Sequence, residues 1–197
     1  MPRTRLDRTT VIEAARDLLD DDGLAAFSMA RLGDRLGVTA MALYRHVRDR
    51  AELESAVLEL VLADLAVDDE SKDAIAGWMR RVRAHWLEHP WIGSLLGTTT
   101  SLHRSWVVAL EHLARALHRA GLTDEQVAHE IVRISRVTCG ILVQEIASPL
   151  PQRGGLGDNL ARYAPALRRY GNDALFEDLI DETLARVRRQ SRVRTAR

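Results

Sequence analysis

The sequence predicts an all-α protein in which a small three-helix head precedes a larger helical body. Apolar residues recur at helical spacing along most of the chain, and no segment shows the strict alternation of a half-buried strand or a β-hairpin turn. Capping residues, glycines and prolines separate these periodic segments at distances typical of helices. We expect the head to span residues 1–50 and the body to span residues 51–197.

The composition is that of a globular protein with a sizeable core. The 197 residues are 46% hydrophobic, yet no apolar run approaches the ~20 residues that a membrane-spanning helix needs. Cys139 is the only cysteine, so an internal disulfide is impossible, and the N-terminus carries no secretory signal. We therefore expect a cytoplasmic protein that does not contact a membrane.

Charge is distributed unevenly although the formal net charge is zero. Residues 28–50 carry five arginines against two acids, whereas residues 51–185 carry thirteen basic and twenty acidic residues. Contact with phosphates requires positive charge only locally. Overall neutrality therefore does not exclude binding to nucleic acid.

The first predicted helix follows an arm, residues 1–8, that contains three arginines. This arm is either a solvated tail or a nucleic-acid contact. Thr10 and Glu13 form a capping box, and apolar residues at helical spacing extend the helix to about Asp21. Three consecutive aspartates, residues 20–22, then lie where the helix dipole disfavours acid, and the sequence suggests no role for them.

A helix-turn-helix follows. Ser28 caps a helix over Met29–Leu36, and Thr39 caps a second helix over Ala40–Val47. Gly37 can adopt the left-handed conformation that ends the first helix. The apolar wedge between the helices is predicted to be Leu32, Leu36, Val38, Leu43 and Val47. A small residue beside this wedge, Gly33, lets the two helices approach closely.

The body is predicted to consist of further helices, some of which have clearer sequence signals than others. They are predicted over residues 50–65, 74–88, 91–96, 102–120, 124–148 and 173–189, with a weak helix over 160–169 after a Pro- and Gly-rich connection. The first of them should bury Leu53, Val57, Leu60, Val61 and Leu65. The segment 124–148 has an apolar face wider than one core contact requires. The arginine-rich end after residue 189 is most simply a solvated tail.

Residues from Thr10 to about Leu62 resemble the TetR family of bacterial transcriptional repressors. The resemblance rests on Gly23-Leu24, Ser28, Leu32-Gly33, Leu36-Gly37-Val38-Thr39 and Leu43-Tyr44-Arg45-His46-Val47. Val47 after His46 is similar to the tetracycline-repressor branch. Beyond residue 65 only the number and placement of helices match, so the implied roles weaken along the chain.

The resemblance implies which residues of the head contact double-stranded DNA. Backbone phosphates would be held by Thr39, Tyr44, His46 and Arg50, and by the start of the supporting helix at Ser28 and Met29. Bases would be read by Ala40, Met41, Ala42 and Arg45. Apolar side chains can meet thymine methyl groups, and Arg45 can pair with guanine. The alternative is that Tyr44 packs in a core and His46 is a plain surface residue.

The resemblance also implies a homodimer, because one head reads too few base pairs for specificity. The segment 124–148 and the last helix are the candidates for its four-helix interface. The alternative is that the wide apolar face of 124–148 only reflects a central core helix.

Several aromatic and polar residues of the body could line a site for a small hydrophobic or aromatic effector. They are Trp78, His85, Trp86, His103 and Trp106, joined by Cys139 and Gln144. The alternatives are core tryptophans and a buried structural thiol. His85, His89 and His103 could also hold a metal, but an isolated histidine pair four residues apart is a weak signal. We expect no metal and no cofactor.

The sequence therefore predicts a DNA-binding transcriptional regulator, a repressor released from a palindromic operator by a small organic effector. DNA and effector would select different separations of the two heads, with residues 50–65 as the connecting lever. The alternative is a DNA-binding regulator controlled by a protein partner or lacking a small-molecule effector. We do not expect an enzyme, because the chain has neither a phosphate-binding glycine loop nor a nucleophile beside an evident base.

Overall fold

The computed structural model describes residues 6–98, 103–147, 162–163, 165 and 171–195. Within these ranges every regular element is a helix, which confirms the all-α prediction. The helices are α1 Arg8–Ala26, α2 Met29–Leu36, α3 Ala40–Leu43, α4 Arg50–Ala63, α5 Ala74–Glu88, α6 Ile92–Thr98, α7 Arg104–Arg119, α8 Asp124–Ala147 and α9 Asn172–Thr195. None of the helices in these ranges combines the length and the apolar character that a membrane-spanning helix requires.

The chain groups into two compact units, and each unit is made of two separate stretches of the sequence. The first unit comprises Met1–Asp68 and Ala84–Glu111, and the second comprises Asp69–Arg83 and His112–Arg197. In the first unit, α1 packs on α4 and α2 packs on α3. In the second unit, α8 packs on α9.

Helix α1 begins and ends differently from the prediction. Its N-cap is Asp7, whose carboxylate accepts hydrogen bonds from the backbone N and the hydroxyl of Thr10 at 2.8 and 2.9 Å. The predicted capping box at Thr10 is therefore wrong. The backbone bond from Thr10 is also the main reason why the pKa of Asp7 is lowered. Gly23, with φ 74° and ψ 168°, kinks the chain, and one further turn extends to Ala26.

Helix α4 begins at Arg50 as predicted, because the carboxylate of Asp49 accepts a hydrogen bond from the backbone N of Glu52 at 2.7 Å. Its core face is partly different from the prediction. Leu60 is exposed. The buried positions of the helix are Leu53, Val57, Leu58, Val61 and Leu62. The period of the helix, rather than hydrophobicity alone, decides which leucines face α1.

The last helix is longer than predicted, since α9 continues to Thr195 instead of ending at residue 189. Arginines are good helix formers, and Gln190 is anchored by a hydrogen bond to Glu130 at 3.0 Å. The predicted end of the helix is therefore wrong, and the residues after it continue the helix up to Thr195. The predicted connection over 149–157, and the weak helix over 160–169 apart from three of its positions, lie outside the described residues.

The corner between α2 and α3 is tightly packed. A Cβ atom added at Gly33 would lie 2.7 Å from the carbonyl oxygen of Val38 and 3.1 Å from the backbone N of Ala40. This confirms that a small residue is needed for the approach of the two helices. Leu32, Leu43 and Val47 are buried in the wedge as predicted, whereas Leu36 and Val38 are only half-buried.

The substitution Gly33→Ala is expected to destabilise the protein by about 1–3 kcal/mol, because the added methyl group meets backbone atoms that cannot rotate away. Chemical unfolding followed by circular dichroism measures this cost. Gly140→Ala is the matched control, since Gly140 is also helical and a Cβ there meets nothing within 4 Å. Equal stability of Gly33→Ala and the natural protein would contradict the close approach.

Candidate DNA-binding surface and effector site

The second helix of the helix-turn-helix is shorter than predicted. Helix α3 covers only Ala40–Leu43, and the following residues form a tighter turn. In that turn the backbone N of His46 donates to the carbonyl of Leu43 at 2.9 Å, and that of Arg45 donates to Ala42 at 3.3 Å. The predicted helix over Ala40–Val47 is therefore wrong in its second half.

Local capping positions both helices of the motif as predicted. The hydroxyl of Ser28 accepts a hydrogen bond from the backbone N of Arg31 at 3.2 Å, and that of Thr39 accepts from Ala42 at 3.3 Å. Gly37 adopts the left-handed conformation at φ 67°. The first N–H groups of each helix remain without intrahelical partners and carry partial positive charge, which suits them to phosphate oxygens.

The outer face of α3 and its turn forms an open recess lined by Thr39, Met41, Ala42, Tyr44 and Arg45. Met41 is 75% exposed and Tyr44 is 43% exposed, so the alternative of Tyr44 as a core aromatic is wrong. The guanidinium group of Arg45 makes no hydrogen bond or ion pair within the described parts of the chain. This surface therefore presents one free cation, one phenol and apolar groups to an external partner.

Three other predicted DNA-contact residues, Met29, Arg50 and His46, are buried, half-buried or already engaged by other groups of the chain. The side chain of Met29 is buried, so only its backbone can face outward. Arg50 donates to the carboxylate of Glu54 at 2.6 Å and to the carbonyl of Phe27 at 3.0 Å, and it stacks over the Phe27 ring. Arg50 thus fixes the chain before α2 to the start of α4. His46 is half-buried and interacts electrostatically with Asp7.

The aspartates at the end of α1 have partners that sequence reasoning missed. Asp21 forms an ion pair with Arg35 at 2.8 Å, and Asp22 forms one with Arg31 at 2.6 Å. Both arginines belong to α2. Two residues of the acidic run therefore fix the supporting helix of the motif to α1. Nothing in the local sequence indicates these pairs, because each joins residues on different helices.

The third aspartate, Asp20, has other partners in the first unit. Its Oδ1 accepts a hydrogen bond from the Trp91 indole N at 2.7 Å and lies 2.7 Å from Nδ1 of His89. His89 in turn stacks edge-on against His85, with ring centroids 4.9 Å apart. Asp20 therefore connects the end of α1 to the histidines at the end of α5.

Four of the predicted effector residues, namely His85, Trp86, His103 and Trp106, belong to the first unit and are all buried. Three of them hold a buried polar atom with no hydrogen-bond partner in the described part of the chain: His85 Nε2, Trp86 Nε1 and His103 Nε2. The pKa of His85 is lowered, mainly by burial of the ring and in second place by the nearby His89, so His85 is neutral near pH 7. Such unpaired buried groups are costly without a ligand or water.

The other three predicted effector residues belong to the second unit. Trp78 is buried, and Cys139 is half-buried, with burial raising its pKa to about 12. The Cys139 thiol is therefore unreactive at neutral pH, as expected of a structural cysteine. Gln144 is exposed on the single chain, so its assignment to an interior site is not supported by this placement.

A buried charge network in the second unit was also missed by sequence reasoning. Glu130 on α8 is fully buried and accepts hydrogen bonds from Arg133 at 2.6 Å, Arg186 at 2.7 Å and Gln190 at 3.0 Å. Burial alone would raise its pKa, but these three donors outweigh burial and lower the pKa to about 2. The network joins α8 to α9.

Comparisons with known proteins identify the family. Residues 11–57 match the family described as bacterial regulatory proteins, tetR family. The tetracycline repressor protein class A from transposon 1721 of Escherichia coli is 30% identical, covering 88% of this chain and 87% of the relative. The chain belongs to the TetR family. This TetR-family protein is a DNA-binding transcriptional regulator.

Solved structures agree with this fold. The structure of a possible TetR family transcriptional regulator from Streptomyces coelicolor is 25% identical, with a TM-score of 0.79 over 92% of this chain and 98% of that one. The Streptomyces coelicolor protein ActR, in complex with actinorhodin, superposes with a TM-score of 0.75 at 23% identity over 95% and 99% of the two chains. The head and the helical body of this TetR-family regulator therefore have their counterparts in solved structures.

Proposed function

We propose that this protein is a repressor that binds a palindromic operator as a homodimer and releases it when a small organic effector binds the body. The observation that carries the DNA-binding part is the exposed recess on α3, in which the guanidinium of Arg45 is free. We assign DNA binding to residues 1–50 and dimerisation with effector binding to residues 51–197. Such a regulator would act in the cytoplasm and not as an enzyme.

Contacts with the operator are of two kinds: contacts with phosphates, which position the protein on the DNA, and contacts with bases, which read the sequence. Thr39, Tyr44 and His46, with the helix start at Ser28, would hold phosphates, and these contacts carry no sequence information. Arg45 would pair with guanine, while Met41 and Ala42 would meet thymine methyl groups. Arg50 already holds Phe27 and Glu54, so we assign it to positioning α2 as well as to phosphate contact. The remaining contacts, at Ala40 and the backbone of Met29, are apolar or main-chain.

Dimerisation is supported by apolar residues left exposed on the helices of the second unit. Val132, Val137 and Val143 on α8, and Leu175 on α9, are 37% to 48% exposed on the single chain. Burial of such side chains against a second copy would be favourable. A two-fold dimer would place two recognition helices about one DNA turn, ~34–36 Å, apart.

Effector binding is supported by the unpaired buried atoms of His85, Trp86 and His103. A ligand with an aromatic body and a few polar atoms could satisfy them, with Trp106 adding apolar surface. ActR, which has the same fold, forms a complex with actinorhodin, and this supports a small-molecule effector for this chain too. The effector would act through α4 and favour a different distance between the two heads of the dimer from the one that DNA favours. The effector would therefore weaken DNA binding, and DNA would weaken effector binding by the same factor.

The test uses the full-length protein and a DNA duplex enriched by it from a random-sequence pool. A panel of aromatic compounds is screened for a rise in unfolding temperature, and each hit is titrated into the protein–DNA complex while fluorescence anisotropy is recorded. We expect at least one hit to weaken DNA binding about tenfold or more, within the usual range of coupling. Variant Trp106→Ala should reduce the effect of that hit.

A panel in which every hit leaves DNA affinity unchanged would contradict release by an organic effector. The protein would then fit the alternative of a regulator controlled by a protein partner or by no effector. DNA binding itself is scored in the same titration, so failure of the effector proposal and failure of the DNA-binding proposal are separate results.

A further inference from the structure

The last turn of α5 brings together two histidines and a carboxylate. Glu88 and His89 lie three and four positions after His85, which places each of them near His85. His89 directly follows the last residue of α5, and its backbone N donates to the carbonyl of His85 at 3.0 Å, so it continues the same turn. One nitrogen or oxygen from each lies within 4.8 Å of the others. Both histidines are buried and Glu88 is exposed, so the group is covered on one side and open to solvent on the other.

His85 presents a free ring nitrogen to this group. Its Nε2 is buried and has no hydrogen-bond partner in the part of the chain that the structure describes. The backbone of Val61 on α4 contributes a hydrogen bond to the ring, and this bond does not involve Nε2, which has no partner. The lone pair of Nε2 is therefore available. A buried nitrogen in this state is costly unless a ligand engages it.

His89 is oriented by a carboxylate in the manner of metal-binding histidines. Its Nδ1 lies 2.7 Å from Oδ1 of Asp20, and the same oxygen is held by the Trp91 indole at 2.7 Å. A histidine that donates Nδ1–H to a carboxylate keeps its Nε2 free as a ligand and gains basicity. The other ring nitrogen of His89 is therefore the one available to a ligand, and Asp20 acts as the positioning residue of His89.

We propose that His85 Nε2, His89 Nε2 and the Glu88 carboxylate bind one divalent transition-metal ion of the Zn²⁺ type. Two imidazoles and one carboxylate are a donor set typical of zinc sites that keep a fourth position open for water. Imidazole donors favour such ions over Mg²⁺ and Ca²⁺. With metal–ligand distances of about 2.0–2.2 Å, the donors must approach to roughly 3.3 Å, and the exposed side chain of Glu88 is free to make that movement.

This site differs from the histidine triplet that the sequence suggested. Glu88 takes the place of His103, which instead lies 3.6 Å from the carboxylate of Glu59. The proposal therefore departs from the expectation that the chain binds no metal. The ion and the proposed effector would compete for Nε2 of His85, but the metal site does not depend on the proposed function, because the ion needs only His85, Glu88, His89 and Asp20.

The experiment titrates Zn²⁺, and Co²⁺ as a spectroscopic substitute, into tag-free full-length protein that has been stripped with a chelator. We expect one ion per chain, a visible absorption band of bound Co²⁺, and a higher unfolding temperature with Zn²⁺. Glu88→Gln should weaken binding more than about tenfold, and Asp20→Asn about 10–100-fold. Glu13→Gln, an exposed acid on α1, is the matched control and should bind as the natural protein does.

Glu88→Gln is the deciding variant because an exposed residue can be changed without disturbing the fold. His89→Gln provides a second loss-of-ligand variant, and circular dichroism without metal verifies that both are folded. Absence of binding at micromolar metal would overturn the proposal. Binding by Glu88→Gln and His89→Gln equal to that of Glu13→Gln would also overturn it, since the ion would then lie elsewhere. Neither readout uses DNA or an organic effector.

Discussion

Replacement of Glu130 by alanine is expected to lower the free energy of unfolding by about 3–5 kcal/mol. The substitution removes the shared acceptor of Arg133, Arg186 and Gln190 and leaves two guanidinium groups partly buried without their counter-charge. Urea unfolding followed by circular dichroism measures the loss.

The matched control is Glu182→Ala. Glu182 is exposed on α9, and loss of an exposed carboxylate changes stability by less than about 1 kcal/mol. If Glu130→Ala were no less stable than Glu182→Ala, the buried network would not join α8 to α9 as described.

The same network predicts a pH dependence of stability. The pKa of Glu130 is about 2 in the folded protein against an ordinary value of 4.5, so the unfolded chain binds a proton first as pH falls. The stabilisation from this ionised carboxylate is therefore complete above about pH 4.5 and is lost progressively down to about pH 2. Glu130→Gln should show a flatter decline over this range. Identical pH profiles for the two proteins would contradict the lowered pKa.

Arg45→Ala is expected to reduce discrimination between the operator and scrambled DNA by about 1–3 kcal/mol per contact, or roughly 5–150-fold. The reason is that Arg45 is the exposed cation beside Met41 and Tyr44, and it has no competing partner among the described residues. Anisotropy titrations with both duplexes at one salt concentration measure the ratio of affinities.

Arg104→Ala is the control for loss of one positive charge, because Arg104 is exposed at the start of α7 rather than on the motif. It should leave the ratio unchanged. An equal loss of affinity for operator and scrambled DNA in Arg45→Ala would instead make Arg45 a phosphate contact.

Features determined by local sequence were predictable. Ser28, Thr39 and Gly37 act through hydrogen bonds and backbone conformations within a few residues, so their spacing alone located the helix-turn-helix. The close approach at Gly33 followed from the same pattern. The helix over Ala74–Glu88 was likewise predicted at its observed bounds, because its apolar face and the proline at residue 90 are both local signals.

Features that depend on distant residues were not predictable from one sequence. The three aspartates near the end of α1 contact residues that are distant in the sequence, such as Arg35 and His89, so their roles cannot be inferred from neighbouring residues. The burial of Glu130 depends on Arg186, which lies 56 residues later. The prediction of the second half of the recognition helix was wrong for a different reason. The periodicity of apolar residues does not distinguish an α-helical turn from the tighter turn over residues 44–46.

Selection of DNA duplexes from a random pool by the whole protein determines whether the α3 surface reads a DNA sequence. We expect an enriched palindrome whose half-sites lie about one helical turn, ~10–10.5 base pairs, apart. We also expect Arg45→Ala to lose the preference for guanine at one position of each half-site, whereas Arg104→Ala should select the same palindrome as the natural protein. Failure to enrich any sequence, or an unchanged palindrome for Arg45→Ala, would contradict the assignment of the α3 surface as the reader of DNA.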